Sequence, residues 1–118
     1  MFKPSKFRNK KTVIDGITFD SLKEGKRYRA LKMLERAGKI TDLKLQPKFL
    51  IANRVEHNGN KYQMRYYIAD FQYCETGTHL PIVEDVKSAH TIKDSLYTLK
   101  RLLFLTRHGD RLIFKEVL

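Results

Sequence analysis

Between Leu43 and Lys87 the chain is written in extended segments separated by turn residues, and helical spacing occurs only on either side of that stretch. This succession restricts the fold more than any single residue does. Val13 to Phe19 alternates around Asp15-Gly16, which predicts a short hairpin or turn. Asp20-Ser21 then supplies an N-cap, a helix runs from Leu22 to Ala37, and Gly38 closes it as a left-handed C-cap. Leu43 to Val55 is extended and rich in branched apolar residues, His57-Asn58-Gly59-Asn60 carries the Asn-Gly signal of a tight hairpin, and Lys61 to Cys74 reads as the returning strand. After the turn Glu75-Thr76-Gly77-Thr78, Leu80 to Lys87 forms a third strand. Beyond Ser88, Leu96, Leu99, Leu103 and Thr106, flanked by Leu102 and Phe104, repeat at helical spacing until His108-Gly109-Asp110, and Leu112 to Val117 alternates as a last strand. Helix, three-stranded meander, helix, strand is the order of an α/β sandwich with a mixed sheet.

With 118 residues the chain has the size of one domain, and a hydrophobic fraction of 42% that includes 7 Phe and 6 Tyr gives it material for a core. Residues 1–11 carry Lys3, Lys6, Arg8, Lys10 and Lys11 with no acid and few apolar residues, so they read as a basic arm ahead of a single domain over 12–118. The whole chain has 24 Lys and Arg against 13 Asp and Glu, a net charge of +11, which favours a polyanionic partner and above all nucleic acid. A membrane is not expected, because no apolar run approaches about 18 residues and no signal peptide is recognisable. One cysteine, Cys74, makes no internal disulfide, and with four scattered histidines it offers no zinc-ligand spacing. A soluble protein of a reducing, cytoplasmic compartment is the expectation.

The chemistry is concentrated in the strands. In Val83-Glu84-Asp85-Val86-Lys87, alternation of side chains puts Asp85 and Lys87 on one face and Glu84 on the other. In Tyr67-Ile68-Ala69-Asp70-Phe71 a lone carboxylate lies inside an apolar run, where an uncompensated charge is costly. A divalent metal compensates both acids, since magnesium takes oxygen ligands, is commonly held by one or two carboxylates, and keeps waters for a phosphate substrate and a nucleophile. Lys87 is placed to orient such a water or to stabilise charge developing on phosphorus, and the reaction is phosphodiester hydrolysis. A surface ion pair among Asp70, Asp85 and Lys87 is the plainer reading of the same residues. Glu24 is open to two readings. It completes a Ser-x-x-Glu capping box with Ser21, and it shares a helix face with Tyr28 and Leu31 that is directed toward the sheet.

These stretches, Phe19-Asp20-Ser21-Leu22-Lys23-Glu24, Tyr67-Ile68-Ala69-Asp70-Phe71 and Val83-Glu84-Asp85-Val86-Lys87, with the closing helix and strand, resemble the PD-(D/E)XK nucleases. Within them the chain is similar to the phage endonuclease I type of Holliday-junction resolvase and to small phage proteins like it. The resemblance covers nearly everything after the arm. It implies a restriction-endonuclease-like α-β-β-β-α-β core with a mixed central sheet flanked by helices. It also implies Asp70 and Asp85 as metal-binding acids, Glu24 as the first-helix glutamate that assists them, Lys87 as the motif lysine, and Mg2+ or Mn2+ as cofactor. Ala69 stands where the motif has proline and Ser88 where glycine often follows the lysine; neither removes a ligand. Glu84 replaces Asp85 if a bulge shifts the strand register.

The function expected is metal-dependent endonuclease activity on DNA, in particular branched DNA such as a four-way junction; mismatched, transposon-end or other specific duplex is the variant within the class. Two scissile strands on a junction imply two active sites, hence a homodimer. A non-catalytic nucleic-acid-binding protein serving recombination or replication is the alternative outside it. Lys93, Lys100 and Arg101, with Lys10 and Lys11, are the expected phosphate contacts, and Arg107 lies beside them. Gln46-Pro47 marks an edge or bulge. Tyr62, Tyr66, Tyr67 and Tyr73 are assigned to packing, and His57, His79, His90 and His108 to the surface.

Overall fold

The computed structural model describes residues 10–118; the basic arm expected over 1–11 lies largely outside them. Strands β1 (Thr12–Ile14) and β2 (Ile17–Phe19) form the hairpin that Asp15-Gly16 predicts, with both turn residues at positive φ, +54° and +76°. Helix α1 (Leu22–Arg36) begins at Ser21, whose side chain accepts from the Glu24 N–H at 3.1 Å, and ends at Ala37 before Gly38 at φ +75°. Inside α1, Gly25 is buried. A Cβ there would meet Ile14 Cδ1 at 3.0 Å and Thr12 Cγ2 at 3.1 Å, so the missing side chain lets β1 lie against the helix. That contact offsets the ~1 kcal/mol by which glycine disfavours a helix interior.

Downstream come β3 (Ile40–Leu45), β4 (Lys48–Ala52), β5 (Val55–His57), β6 (Asn60–Tyr62), β7 (Arg65–Ile68), β8 (Phe71–Glu75), β9 (Ile82–Val86), α2 (Ser95–His108) and β10 (Ile113–Val117). The central sheet has the order β10-β9-β8-β3 and is mixed: β10 is parallel to β9, and the other pairs are antiparallel. The two long strands expected over Leu43 to Val55 and Lys61 to Cys74 are each broken. Only β3 and β8 belong to the central sheet, while β4 pairs with β7 and β5 with β6 as a ribbon that leaves it. The break has a local cause. Gln46 is at φ +51°, and Pro47 has no N–H to donate. Two backbone bonds span the bend, Gln46 N–H to the Asp70 carbonyl at 2.9 Å and Ala69 N–H to the Pro47 carbonyl at 3.1 Å.

A helix packs on each face of the sheet. On the α1 side Phe19, Tyr28, Leu31, Phe71, Tyr73 and Ile82 form the core; on the α2 side it is Ile51, Tyr67, Val83, Tyr97 and Phe104. Phe104 stacks on Tyr67 with centroids 4.6 Å apart and packs on Phe49 of the ribbon at 4.9 Å. The leucine repeat marks α2 correctly but not its packed face. Tyr97 and Phe104, seven residues apart, are buried against the aromatic bed, whereas Leu96, Leu99 and Leu102 are 53–61% exposed. Strand β9, buried along its whole length, is shared by both cores. Among the described residues no helix is long and apolar enough to cross a membrane.

Candidate active site

Strand β9 carries two adjacent acids in its interior, Glu84 and Asp85, and both are fully buried. Their pairing with β8 and β10 is regular, so alternation sends them to opposite faces and no bulge exchanges one for the other. Glu84 faces α1. Arg27 grips it with two parallel hydrogen bonds, Nε to Oε1 at 2.7 Å and Nη2 to Oε2 at 2.6 Å, and the Tyr73 hydroxyl donates to it as well. Its lone pairs are taken up by protein donors, which removes it as a substitute for Asp85.

Asp85 faces the other way and is less well provided. Its Oδ2 accepts from the Tyr67 hydroxyl, and the Lys87 ammonium lies 3.3 Å from Oδ1. Lys87 supplies charge without hydrogen-bond alignment, so the buried Oδ1 accepts no hydrogen bond. An orphaned carboxylate oxygen in a protein interior is unusual and calls for a partner, either a proton carried by a neighbouring group or an ion. Lys87 is also 5.2 Å from the centroid of the Tyr97 ring, which steadies its position over α2.

Asp70 stands at the bend between β7 and β8, where the ribbon leaves the sheet. Its Oδ2 accepts the Val86 N–H at 2.7 Å, and its own N–H donates to the Glu84 carbonyl at 3.0 Å. Burial pushes its carboxyl up to about 8; the Val86 N–H works against that shift, and the facing carboxylate of Asp85 and the charge of Glu24 add to it. Two facing carboxylates cannot both ionise without a proton or a cation between them. Tyr67 is held protonated by burial and by Asp85, so its hydroxyl is a standing donor to that acid.

Glu24 reaches this cluster from the first turn of α1. Its carboxyl is raised by burial and by the charges of Asp20 and Asp85, and lowered by Lys87. The Ser21 hydroxyl also lies 3.5 Å from Glu24 Oε2. The capping reading of Glu24 is what the hydrogen bonds show, and the same turn leaves its carboxyl near enough to feel the charges of Asp85 and Lys87. The cap fixes the turn from which the side chain looks toward Asp85 and Lys87.

A family model matches residues 4–117. The chain belongs to the DUF1064 family, described as proteins of unknown function. No curated protein and no solved structure matches it.

This DUF1064 chain thus brings Glu24, Asp70, Asp85 and Lys87 to one end of the sheet, across 63 positions of sequence from Glu24 to Lys87. Among the described residues no three His, Cys, Asp or Glu side chains form a ready-made metal cage; Asp70 and Asp85 are a facing pair that act on each other's charge. The basic residues are placed less uniformly. Lys10 and Lys93 are exposed, and Lys100 is half-buried. Lys11 pairs with Asp20 at 3.3 Å on the surface. Arg101 is bound to Glu116 at 2.7 Å and lies over the Tyr97 ring at 5.4 Å, so it is engaged within the protein. Arg107 donates to Asn53 at 3.1 Å. Cys74 is half-buried and free, and His108 contacts the Leu50 carbonyl while the other histidines are exposed.

Three residues that hold the acids of β9 or the lysine beside them escaped the sequence reading. Arg27 lies one helical turn after Glu24, a spacing that was legible. Tyr67, taken for packing alone, and Tyr97, whose hydroxyl donates to Glu116, carried no signal, because their polar contacts depend on how the ribbon and α2 fold over β9.

Proposed function

We propose that this protein is a divalent-metal-dependent endonuclease of the PD-(D/E)XK type that hydrolyses DNA phosphodiester bonds. The observation that carries the reading is Asp85 Oδ1, a buried carboxylate oxygen without a hydrogen bond, beside a second acid raised to about 8 and a lysine at 3.3 Å. That donor set suits Mg2+ or Mn2+, with Asp70 and Asp85 as ligands and Glu24 assisting, since such ions are commonly held by one or two carboxylates and several waters. When bound, the ion supplies Lewis acidity toward a phosphate oxygen and lowers the pKa of water.

The chain's own residues do the rest. Tyr67 and the Val86 N–H fix the rotamers of Asp85 and Asp70, so the acids are oriented before substrate arrives. Lys87 holds positive charge at the point where negative charge grows on the phosphoryl oxygens as water adds to phosphorus and the O3′ bond breaks. The products are a 5′-phosphate and a 3′-hydroxyl, which takes up the proton. A net charge of +11 suits a DNA substrate. Helix, antiparallel meander, helix and parallel strand, in that order, are compatible with a restriction-endonuclease-like core. Branched DNA, with its two equivalent scissile strands, and a pair of chains acting on it complete the proposal.

A non-catalytic nucleic-acid-binding role has one observation in its favour: a protonated Asp70 beside an Asp85–Lys87 ion pair is charge-compensated without any metal. Cleavage of a labelled four-way junction beside linear duplex, single-stranded DNA and structured RNA, in Mg2+, Mn2+ or EDTA, separates the two. Metal-dependent cutting lost in Asp70→Ala supports the nuclease. Binding without cutting of any substrate supports the accessory protein.

A further inference from the structure

Helix α1 has a second functional-looking side, turned away from the carboxylates. Where Gly25 brings β1 down onto the helix the two are in contact, and farther along a cleft of about 400 Å³ opens between the hairpin and the helix. Its helical wall presents Arg29, Lys32 and Arg36, whose spacings of three and four place them on one face. Two acids lie nearby: Asp15, which lines the cleft and accepts from the Tyr28 hydroxyl at 3.0 Å, and Glu35, which pairs with Lys32 at 3.0 Å; the arginines outnumber what these acids offset. Among the described residues Arg29 and Arg36 have no carboxylate partner. Both are exposed, and Val13 and Met33, each 67% exposed, line the same cleft.

Like charges gathered on one wall repel each other, and a polyanion lying in the cleft relieves that repulsion. Arg29 and Arg36 are separated by about 10 Å along the helix axis, the rise of about three nucleotides at ~3.4 Å each. That span matches a strand better than a single small anion, and the open shape of the cleft with its apolar rim suits a phosphate backbone with its sugars. From Glu24 to Arg36 the helix covers about 18 Å, or roughly five base pairs of duplex. We propose that this cleft is a second nucleic-acid-binding groove that grips the phosphate backbone from about two to about five base pairs from the carboxylate site. Only the direction of the strand rests on the nuclease reading; the groove itself rests on Arg29, Lys32 and Arg36.

The test is DNA binding by fluorescence anisotropy in EDTA, where cutting plays no part. The probes are branched DNA with arms of graded length, measured over a series of salt concentrations with wild type and Arg29→Gln/Arg36→Gln. Wild-type affinity should rise as the arms lengthen from about two to about five base pairs, and the double variant should lose that gain. The slope of log K against log salt should flatten by about 1.8, at ~0.9 for each lost phosphate contact. Lys39→Gln/Lys44→Gln, which removes the same charge from exposed positions just before and within the edge strand β3, should leave the slope unchanged. The proposal is overturned by an unchanged slope in the arginine variant, by an equal change in the lysine control, or by a wild type that binds no DNA. Cutting assayed separately in Mg2+ tells the two readings apart. A nuclease with an unaltered slope loses only the groove, and a non-cutting protein with the flattened slope keeps it.

Discussion

Replacing Asp70 with asparagine should make the metal-free protein more stable while ending metal-dependent cutting. The asparagine oxygen still accepts the Val86 N–H that Asp70 Oδ2 accepts at 2.7 Å. Its amide faces Asp85, whose Oδ1 lacks a hydrogen bond, and donates at every pH, whereas ionised Asp70 and Asp85 confront each other as two acceptors. The carboxyl of Asp70 is displaced from 3.8 to about 8, and at ~1.4 kcal/mol per pH unit this sets a ceiling near 6 kcal/mol once the group is ionised. Residual solvent access brings the expectation to roughly 2 kcal/mol, the usual cost of an imperfectly compensated buried polar group. For a chain of this size that is a rise in Tm of about 8 °C.

The pH dependence gives the prediction its sign. A carboxyl raised in the folded state contributes fully to stability below its unfolded value near 4, and that contribution is lost as pH rises through about 8. The advantage of Asp70→Asn over wild type should therefore be near its minimum at pH 4, grow between pH 4 and 8, and be largest above 8. Thermal unfolding in EDTA across that range reads it directly. An asparagine variant no more stable than wild type at pH 8, or one whose advantage shrinks as pH rises, would refute the reasoning.

Metal affinity should follow the same proton: binding of Mn2+ displaces it from Asp70, so affinity should rise about tenfold per pH unit below 8 and level off above. Calorimetry in buffers of different ionisation heat tests this, and a flat profile between pH 6 and 8 contradicts it. Tyr67→Phe leaves Asp85 Oδ2 buried without its donor; a loss of about 1–3 kcal/mol in urea denaturation and a fall in cutting of roughly 10- to 100-fold are expected, and an unchanged rate would show that Tyr67 does not position Asp85. Arg27→Met strands Glu84 in the core and should cost about 3–5 kcal/mol, much of it recovered by adding Glu84→Gln. A loss under about 1 kcal/mol for the single variant would mean that Tyr73 alone satisfies Glu84.

Local chemistry made much of this legible in the sequence. Ser21 and Gly38 bound α1 because caps and left-handed residues act within a few positions of themselves, and Asp15-Gly16 and Asn58-Gly59 set their hairpins by φ alone. Alternation along β9 separated Asp85 and Lys87 from Glu84 before any partner was known, because the pleat has a fixed period. Periodicity could find α2 but not its buried face: its leucines have the right spacing, yet the side that packs is chosen by the rings of Tyr67, Phe49 and Phe114 across the chain. Nor could it see that Pro47 and the left-handed Gln46 turn a long hairpin out of the sheet, which puts Asp70 at a bend facing Asp85.

The sequence by itself determined which residue types stand at which periodic positions, and with them the elements, the acids and the lysine. Only the tertiary structure decided which acid is silenced and which is left wanting, since hydrogen-bond satisfaction depends on donors brought from elsewhere. Arg27 and Tyr73 close around Glu84, while Asp85 keeps one oxygen bare.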